Sequence, residues 1–253
     1  MEKPEGTSRR KIYILITYFF LWIILFEFIL PVNKFLPKPS IVILSFSDLW
    51  NFYKLPQNFL YSVAVIYLSL IVSYLLLYFL RNILLLKNHF FADLILSFHW
   101  FFNYVPAFIL GLYFIYWLPR SFYTEFIFIF LTSFLMMVVK LKEKAPKVNK
   151  EFFEAAISLG SSGKVIREKI IWKALQPALI KYILELHFYL WLVLLAFEYI
   201  KGGFGLGNIF RMALGYKDLS ILFSATIITG IVIYLGSFSI RYIKNKFIHW
   251  STM

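Results

Sequence analysis

The chain has 253 residues, 61% of them hydrophobic and 21% aromatic, with only 15% charged and a formal net charge of +13. A soluble domain carries about 25% charged residues, so too little polar surface is present to coat a water-soluble particle, and an integral membrane protein is the class that remains. The absence of cysteine excludes disulfides, thiolate metal sites and a cysteine nucleophile.

A helix needs about 20 apolar residues to cross a bilayer core. In chain order, six segments meet that length: Ile12–Leu30, Phe59–Leu80, Leu94–Leu118, Phe122–Val139, Ala174–Phe197 and Ile221–Ile240. The first follows Arg9-Arg10-Lys11 and has no small-residue cleavage site after it, so it is expected to span rather than be removed as a signal peptide. Pro106 falls inside the third and predicts a kink or break there. Pro119-Arg120-Ser121 between the third and fourth predicts a tight helical hairpin. No repeat or low-complexity tract is visible, and residues 1–253 are expected to form a single membrane domain.

The basic residues lie between the spans, where they report topology rather than a nucleic-acid partner. With six spans, 19 of the 26 Lys and Arg fall on the side that holds both termini and 7 on the other. The excess predicts that both termini are cytoplasmic. The long loop at residues 140–173 is then cytoplasmic, and Pro31–Asn58 and Glu198–Ser220 are outer connections.

Within that loop, Gly160-Ser-Ser-Gly163-Lys164 has the look of a phosphate-binding loop. It fails the pattern G-x-x-x-x-G-K-[ST] twice, because Ser158 stands where the first Gly is needed and Val165 follows the Lys. Two short helices fit better. Asn149 can cap the first, with Glu151 and Glu154 in its first turn. Phe152, Ala155, Ala156 and Leu159 then fall on one side, and Gly160 stops the helix. Ser161 or Ser162 can cap a second helix running through Val165, Ile166, Ile170 and Ile171 towards the fifth span, with Pro177 near that span's start. Such a segment suits either an amphipathic helix on the membrane surface or a knob docking into a partner's groove.

Glu154-Ala155-Ala156-Ile157-Ser158-Leu159-Gly160 resembles the EAA motif of bacterial ABC-importer permeases, E-A-A, three residues, then G. It stands, as in that family, in the loop before the last two spans. Trp191 and Glu198 followed by Gly205-Leu206-Gly207 resemble the W…E…GLG passage of the nitrate/sulfonate/taurine branch. Leu36-Pro37-Lys38-Pro39-Ser40 resembles that branch's L-P-x-P segment, and Arg241–Lys246 with Trp250 its C-terminal tail. The chain departs from the branch at Lys173, where a proline is usual, at Ile240, where an acid is usual, and in its glycine-poor second and third spans.

The resemblance implies an all-α membrane protein of six transmembrane helices with the type I ABC-importer permease fold (MetI-like), in the bacterial inner membrane. It implies a coupling segment made of Glu154, Ala155, Ala156, Leu159 and Gly160, supported by Pro177. Partners would be two copies of an ABC ATPase, a periplasmic or lipid-anchored substrate-binding protein, and a second copy of this chain in a homodimer. ATP and Mg would be bound by the ATPase, with no cofactor, no metal and no catalytic residue in this chain. The cargo would be a nitrate-, sulfonate- or taurine-like anion or a thiamine-precursor-like molecule. The alternative is a non-transporting or regulatory membrane subunit that docks an ABC ATPase, motivated by the glycine-poor spans.

Three further groups stand out. Glu27 lies within the first span but close to its outer end, where it can be hydrated or functional. Glu185 and His187 lie deeper in the fifth span and point to different faces, with Glu185 a candidate for the transport path or for an interhelical hydrogen bond. Glu198 with Gly205, Leu206 and Gly207 is either a glycine-rich turn or a periplasmic gate. His89, His99, His187 and His249 fall on separate elements, which argues against a metal site.

Overall fold

The computed structural model describes residues 5–30, 36–86, 90–102, 104–148, 150–248 and 250, and among these the chain is helical with no strand. Backbone groups in hydrocarbon have no water to bond, and helices satisfy them within one segment. Helix α1 is Glu5–Ile23 and runs on as a π-helical stretch, Ile24–Ile29. It is followed by α2 (Pro39–Asn51), α3 (Leu55–Leu84), α4 (Phe90–Phe102), α5 (Ala107–Trp117) and α6 (Phe122–Lys144). Next come α7 (Lys150–Ser158), one turn named α8 (Gly163–Val165), a π-helical stretch Ile166–Ile171, α9 (Trp172–Lys201), α10 (Leu206–Gly215) and α11 (Leu219–Phe247).

Among the described residues, four helices are long and apolar enough to cross a membrane: α3, α6 with its continuation to Lys147, α9 with the turns that precede it from Gly163, and α11. They correspond to the second, fourth, fifth and sixth expected spans, each extended past the apolar run. The other two expected spans take different forms. The first contains a shorter apolar helix, Ile16–Ile29. The third is divided at Pro106, which stands as the N-cap of α5; its missing N–H and its ring prevent α4 from running on. At about 1.5 Å per residue, α4 and α5 are each shorter than a bilayer core. The hairpin at Pro119-Arg120-Ser121 forms, with the Thr124 N–H donating to Ser121 Oγ (3.4 Å) and Thr124 Oγ1 to the Pro119 carbonyl (2.6 Å).

Two outer connections expected as loops contain helices. In the first, Pro39 opens α2 at a position where its lost N–H costs nothing. Glu27 reaches α2's N-terminus and accepts from the Ser40 N–H (3.1 Å) and Ser40 Oγ (2.8 Å). An acid there is favoured by the helix dipole, which accounts for a charge near the end of an apolar run. The second such helix is α10.

The core lies between α3, α6 and α9, with Ile66, Leu77, Ile129, Met137, Leu179 and Leu190 buried in it. The closest pairing is α3 against α6. In the glycine-poor second span, serines take the small-residue role. Ser62, Ser69 and Ser73 are fully buried on α3, and Ser69 and Ser73 donate to the Phe126 and Phe130 carbonyls of α6. Small hydroxyl residues let helix backbones approach and bond across the seam.

Pro177 lies inside α9 and not, as expected, near a helix start, because the helical run already begins at Gly163. A proline there leaves the carbonyl four residues earlier without its helical donor, and that carbonyl belongs to Lys173. Trp250 supplies the donor: its indole N–H lies 2.8 Å from the Lys173 carbonyl, and the Lys173 ammonium sits 5.1 Å from the Trp250 ring centre. The C-terminal segment is thereby fastened to the base of α9. Trp250→Phe, which keeps the ring and removes the donor, should cost about 1 kcal/mol and lower the unfolding midpoint in detergent. In a Pro177→Ala background the restored N–H competes for the same carbonyl, so the same change should cost measurably less.

Candidate functional site

Two polar sites stand at opposite ends of the spans. At the first, α7 ends in a Schellman arrangement. The Ser161 N–H donates to the Ala156 carbonyl (3.0 Å) and the Gly160 N–H to the Ile157 carbonyl (2.9 Å), with Gly160 at φ +73°. This left-handed turn is the one glycine adopts without strain. Ser162 then caps the next turn by accepting from the Val165 N–H (3.5 Å); the cap expected at Asn149 lies outside the described residues.

The expected apolar stripe divides across the helix. Ala156 is buried, while Ala155 is exposed and Leu159 is 85% exposed; the Phe152 side chain is outside the described set. Ala156 packs inward towards the π-helical stretch, where Ile166 and Ile171 are buried. Arg167 Nε donates to Asn82 Oδ1 (2.8 Å) and ties this loop to the end of α3. The outward face presents Glu154, Ala155, Ile157 at 64% exposure, and Leu159. The outcome is a short stapled helix with an uncovered apolar knob.

At the other end, Glu198 is fully buried. One carboxylate oxygen accepts from Ser62 Oγ (2.6 Å), the other from the Gly207 N–H (2.8 Å). Ser62 Oγ accepts in turn from the Leu206 N–H (2.8 Å), and Asn58 Oδ1 accepts from the Gly205 N–H (2.7 Å). The first turn of α10, whose N–H groups have no helical partner, is therefore bound by side chains of α3 and α9, with a carboxylate at its positive end. The glycines follow from this closeness. A Cβ on Gly205, at φ +105°, would run into the Glu198 carboxyl, and one on Gly207 would run into the Leu195 carbonyl. Glu198, Gly205, Leu206 and Gly207 thus meet in three dimensions.

Residues 82–249 match the protein family described as Binding-protein-dependent transport system inner membrane component. The match takes in α7, α9, α10 and α11 and covers about two thirds of the chain. The chain belongs to that family. Among curated proteins and solved structures, none matches it significantly. Membership makes the protein a permease component of an ABC transporter, a multi-pass membrane chain of a class that works with an ATPase and a substrate-binding protein, and not a member of an enzyme family.

The remaining candidates of the permease fall elsewhere. Pro177 and Glu185 both border one cavity at the α7 end of α9, away from α7 itself. His187 is buried and faces α3 and α11. The Trp191 indole N–H, which can only donate, points at its Nε2 (3.0 Å). That assigns a neutral imidazole protonated on Nδ1, with Ser237 Oγ 3.3 Å from Nδ1 and Tyr67 OH 3.1 Å from Nε2. A Cβ on Gly236 would strike Tyr67 and His187, so this glycine admits the contact. His89 and His249 lie outside the described residues, and His99 belongs to α4.

The permease also holds a buried ion pair that the sequence reading passes over, Lys201 of α9 with Glu125 of α6, where Lys201 also donates to Tyr61 OH (3.3 Å). The available signal was an acid and a base placed at the same end of two apolar runs. Lys201→Ala strands a buried carboxylate and should cost about 3–5 kcal/mol, whereas the paired change Glu125→Leu with Lys201→Met should cost much less. Urea titration of the three proteins compares them. Gly207→Ala should prevent stable folding, scored as loss of a single monodisperse peak in detergent.

Proposed function

We propose that this permease is the membrane-spanning subunit of an ATP-driven importer, and that Glu154–Gly160 is the coupling segment received by the ATPase. The observation that carries the proposal is the α7 knob. Ile157 and Leu159 are apolar and uncovered on a helix whose buried Ala156 and glycine-stapled end hold it in one orientation. An exposed apolar surface held rigid on a short helix in a basic loop suits docking into a partner's groove. It sits in the loop with the greatest excess of Lys and Arg, the side that is cytoplasmic by charge asymmetry, where an ATPase would be.

On this reading two copies of the chain assemble with two ATPase subunits and an outer binding protein. ATP and Mg are held by the ATPases. Closure of the ATPases pulls on α7, and the pull passes through the π-helical stretch into α9. The far end of α9 carries Glu198 and, through it, Gly205-Leu206-Gly207, which act as the outer gate element. The cargo is a small anion of the nitrate, sulfonate or taurine kind or a thiamine-precursor-like molecule, by resemblance to that branch.

Glu154→Arg and Leu159→Asp should each weaken co-purification of the cognate ATPase by tenfold or more while leaving the detergent unfolding midpoint unchanged. Gly160→Leu should do the same at the added cost of a left-handed non-glycine residue, about 1–2 kcal/mol. Wild-type ATPase recovery from all three would remove α7 as the docking element. Proteoliposomes containing permease, ATPase and binding protein should show ATP-dependent uptake; its complete absence would favour the non-transporting alternative.

A further inference from the structure

A cavity of about 550 Å³ opens at the α7 ends of α6, α9 and α11. Four ammonium groups line it: Lys140 and Lys144 one helical turn apart on α6, Lys181 on α9 and Lys244 on α11. Glu185 is the carboxylate in the lining, and Glu143, outside it, lies 2.9 Å from Lys140, 3.5 Å from Lys144 and 3.4 Å from Lys147. Four cations against those two carboxylates leave an excess of positive charge. Pro177 and Ala178 add lining without long side chains, Asn245 adds a neutral amide, and Ile248 and Trp250 complete the lining.

We propose that this cavity holds the phosphate of an anionic phospholipid from the adjoining leaflet. Two membrane-crossing helices, α6 and α11, end around it beside the α7-side half of α9, which puts it at headgroup depth. Trp250 and Tyr182 stand at its edge, and these residue types favour that depth. Lysine offers a compact point charge suited to a phosphate oxygen, and basic pockets between helices at a membrane face select anionic headgroups. The volume accommodates a headgroup-sized ligand. The bilayer presents such phosphates at this level continuously, whereas a soluble phosphate must arrive from water. Glu185 opposes the anion and sets a limit on affinity.

Bound lipid would also connect parts that otherwise touch little. Its phosphate would bridge α6 and α11 across the face of α9, beside the Trp250–Lys173 contact. The site is separate from the α7 knob and from the Glu198 network.

The test is native mass spectrometry of the purified full-length chain in detergent, titrated with phosphatidylglycerol or phosphatidylcholine. Retention of phosphatidylglycerol should exceed that of phosphatidylcholine by on the order of tenfold, from about fivefold per contributing lysine with partial screening. Lys181→Ala with Lys244→Ala should bring the two lipids level, and Glu185→Gln should raise phosphatidylglycerol retention several-fold. If the alanine pair fails to fold, Lys181→Gln with Lys244→Gln replaces it. Equal retention of the two lipids by the wild type would overturn the proposal, as would unchanged retention in a folded lysine variant. Inorganic phosphate equimolar with the lipid should not displace phosphatidylglycerol; displacement would assign the cavity to a soluble oxyanion and overturn the lipid.

Discussion

Glu198 keeps both carboxylate oxygens inside the protein, and the α10 end of the fold is arranged around that demand. A buried carboxylate is tolerated only when its lone pairs are met. Ser62 from α3 meets one oxygen and the first turn of α10 meets the other. To bring α10's backbone that near, two positions must lack a Cβ, and they are Gly205 and Gly207. The Glu125–Lys201 pair joins α6 to the same corner of α9. Three membrane helices and the elbow after α9 are thus fastened by polar contacts, in a solvent where apolar packing alone gives little preference for one helix neighbour over another.

The two ends of α9 differ in kind. Its α10 end is closed by buried, mutually bonded polar groups. Its α7 end is open: a π-helical stretch, an internal proline, a carbonyl completed by Trp250, and an exposed knob one loop away. The α10 end is held by buried polar contacts from two other helices, whereas the α7 end is held by the Trp250 contact and the Arg167–Asn82 bond. The buried His187, between Tyr67, Trp191 and Ser237, marks the level where the two regimes meet.

Much of this was legible in the sequence because hydrocarbon is a demanding solvent. Span length alone located α3, α6, α9 and α11, and Pro106 announced the break between α4 and α5. Gly160 was readable as a stop because a left-handed turn at a helix end selects glycine. What escaped were relations between distant residues. Nothing local tells that Ser62 meets Glu198, that Lys201 reaches Glu125, or that Trp250 completes the carbonyl left by Pro177. The apolar stripe of α7 misled for a related reason: helical periodicity puts Ala155 and Ala156 on neighbouring bearings, but only the fold decides which is covered. The short helices α2 and α10 were hidden because, at 13 and 10 residues, neither reaches span length, and because their N-terminal partners, Glu27 and Glu198, lie in other elements.

The π-helical stretch at Ile166–Ile171 has a geometric effect on what precedes it. Each residue of an α-helix advances the chain by about 100° and 1.5 Å, and a π-bulge lodges one residue beyond that count. The turn Gly163–Val165 is therefore set out of phase with α9 by one residue's turn. That surplus residue sets the bearing at which the Ser161–Ser162 link joins the α9 run, and the left-handed turn at Gly160 then redirects α7 and Leu159. The wall of α9 and the knob at its foot belong to two separate helices, and the offset in winding helps to set the angle between them.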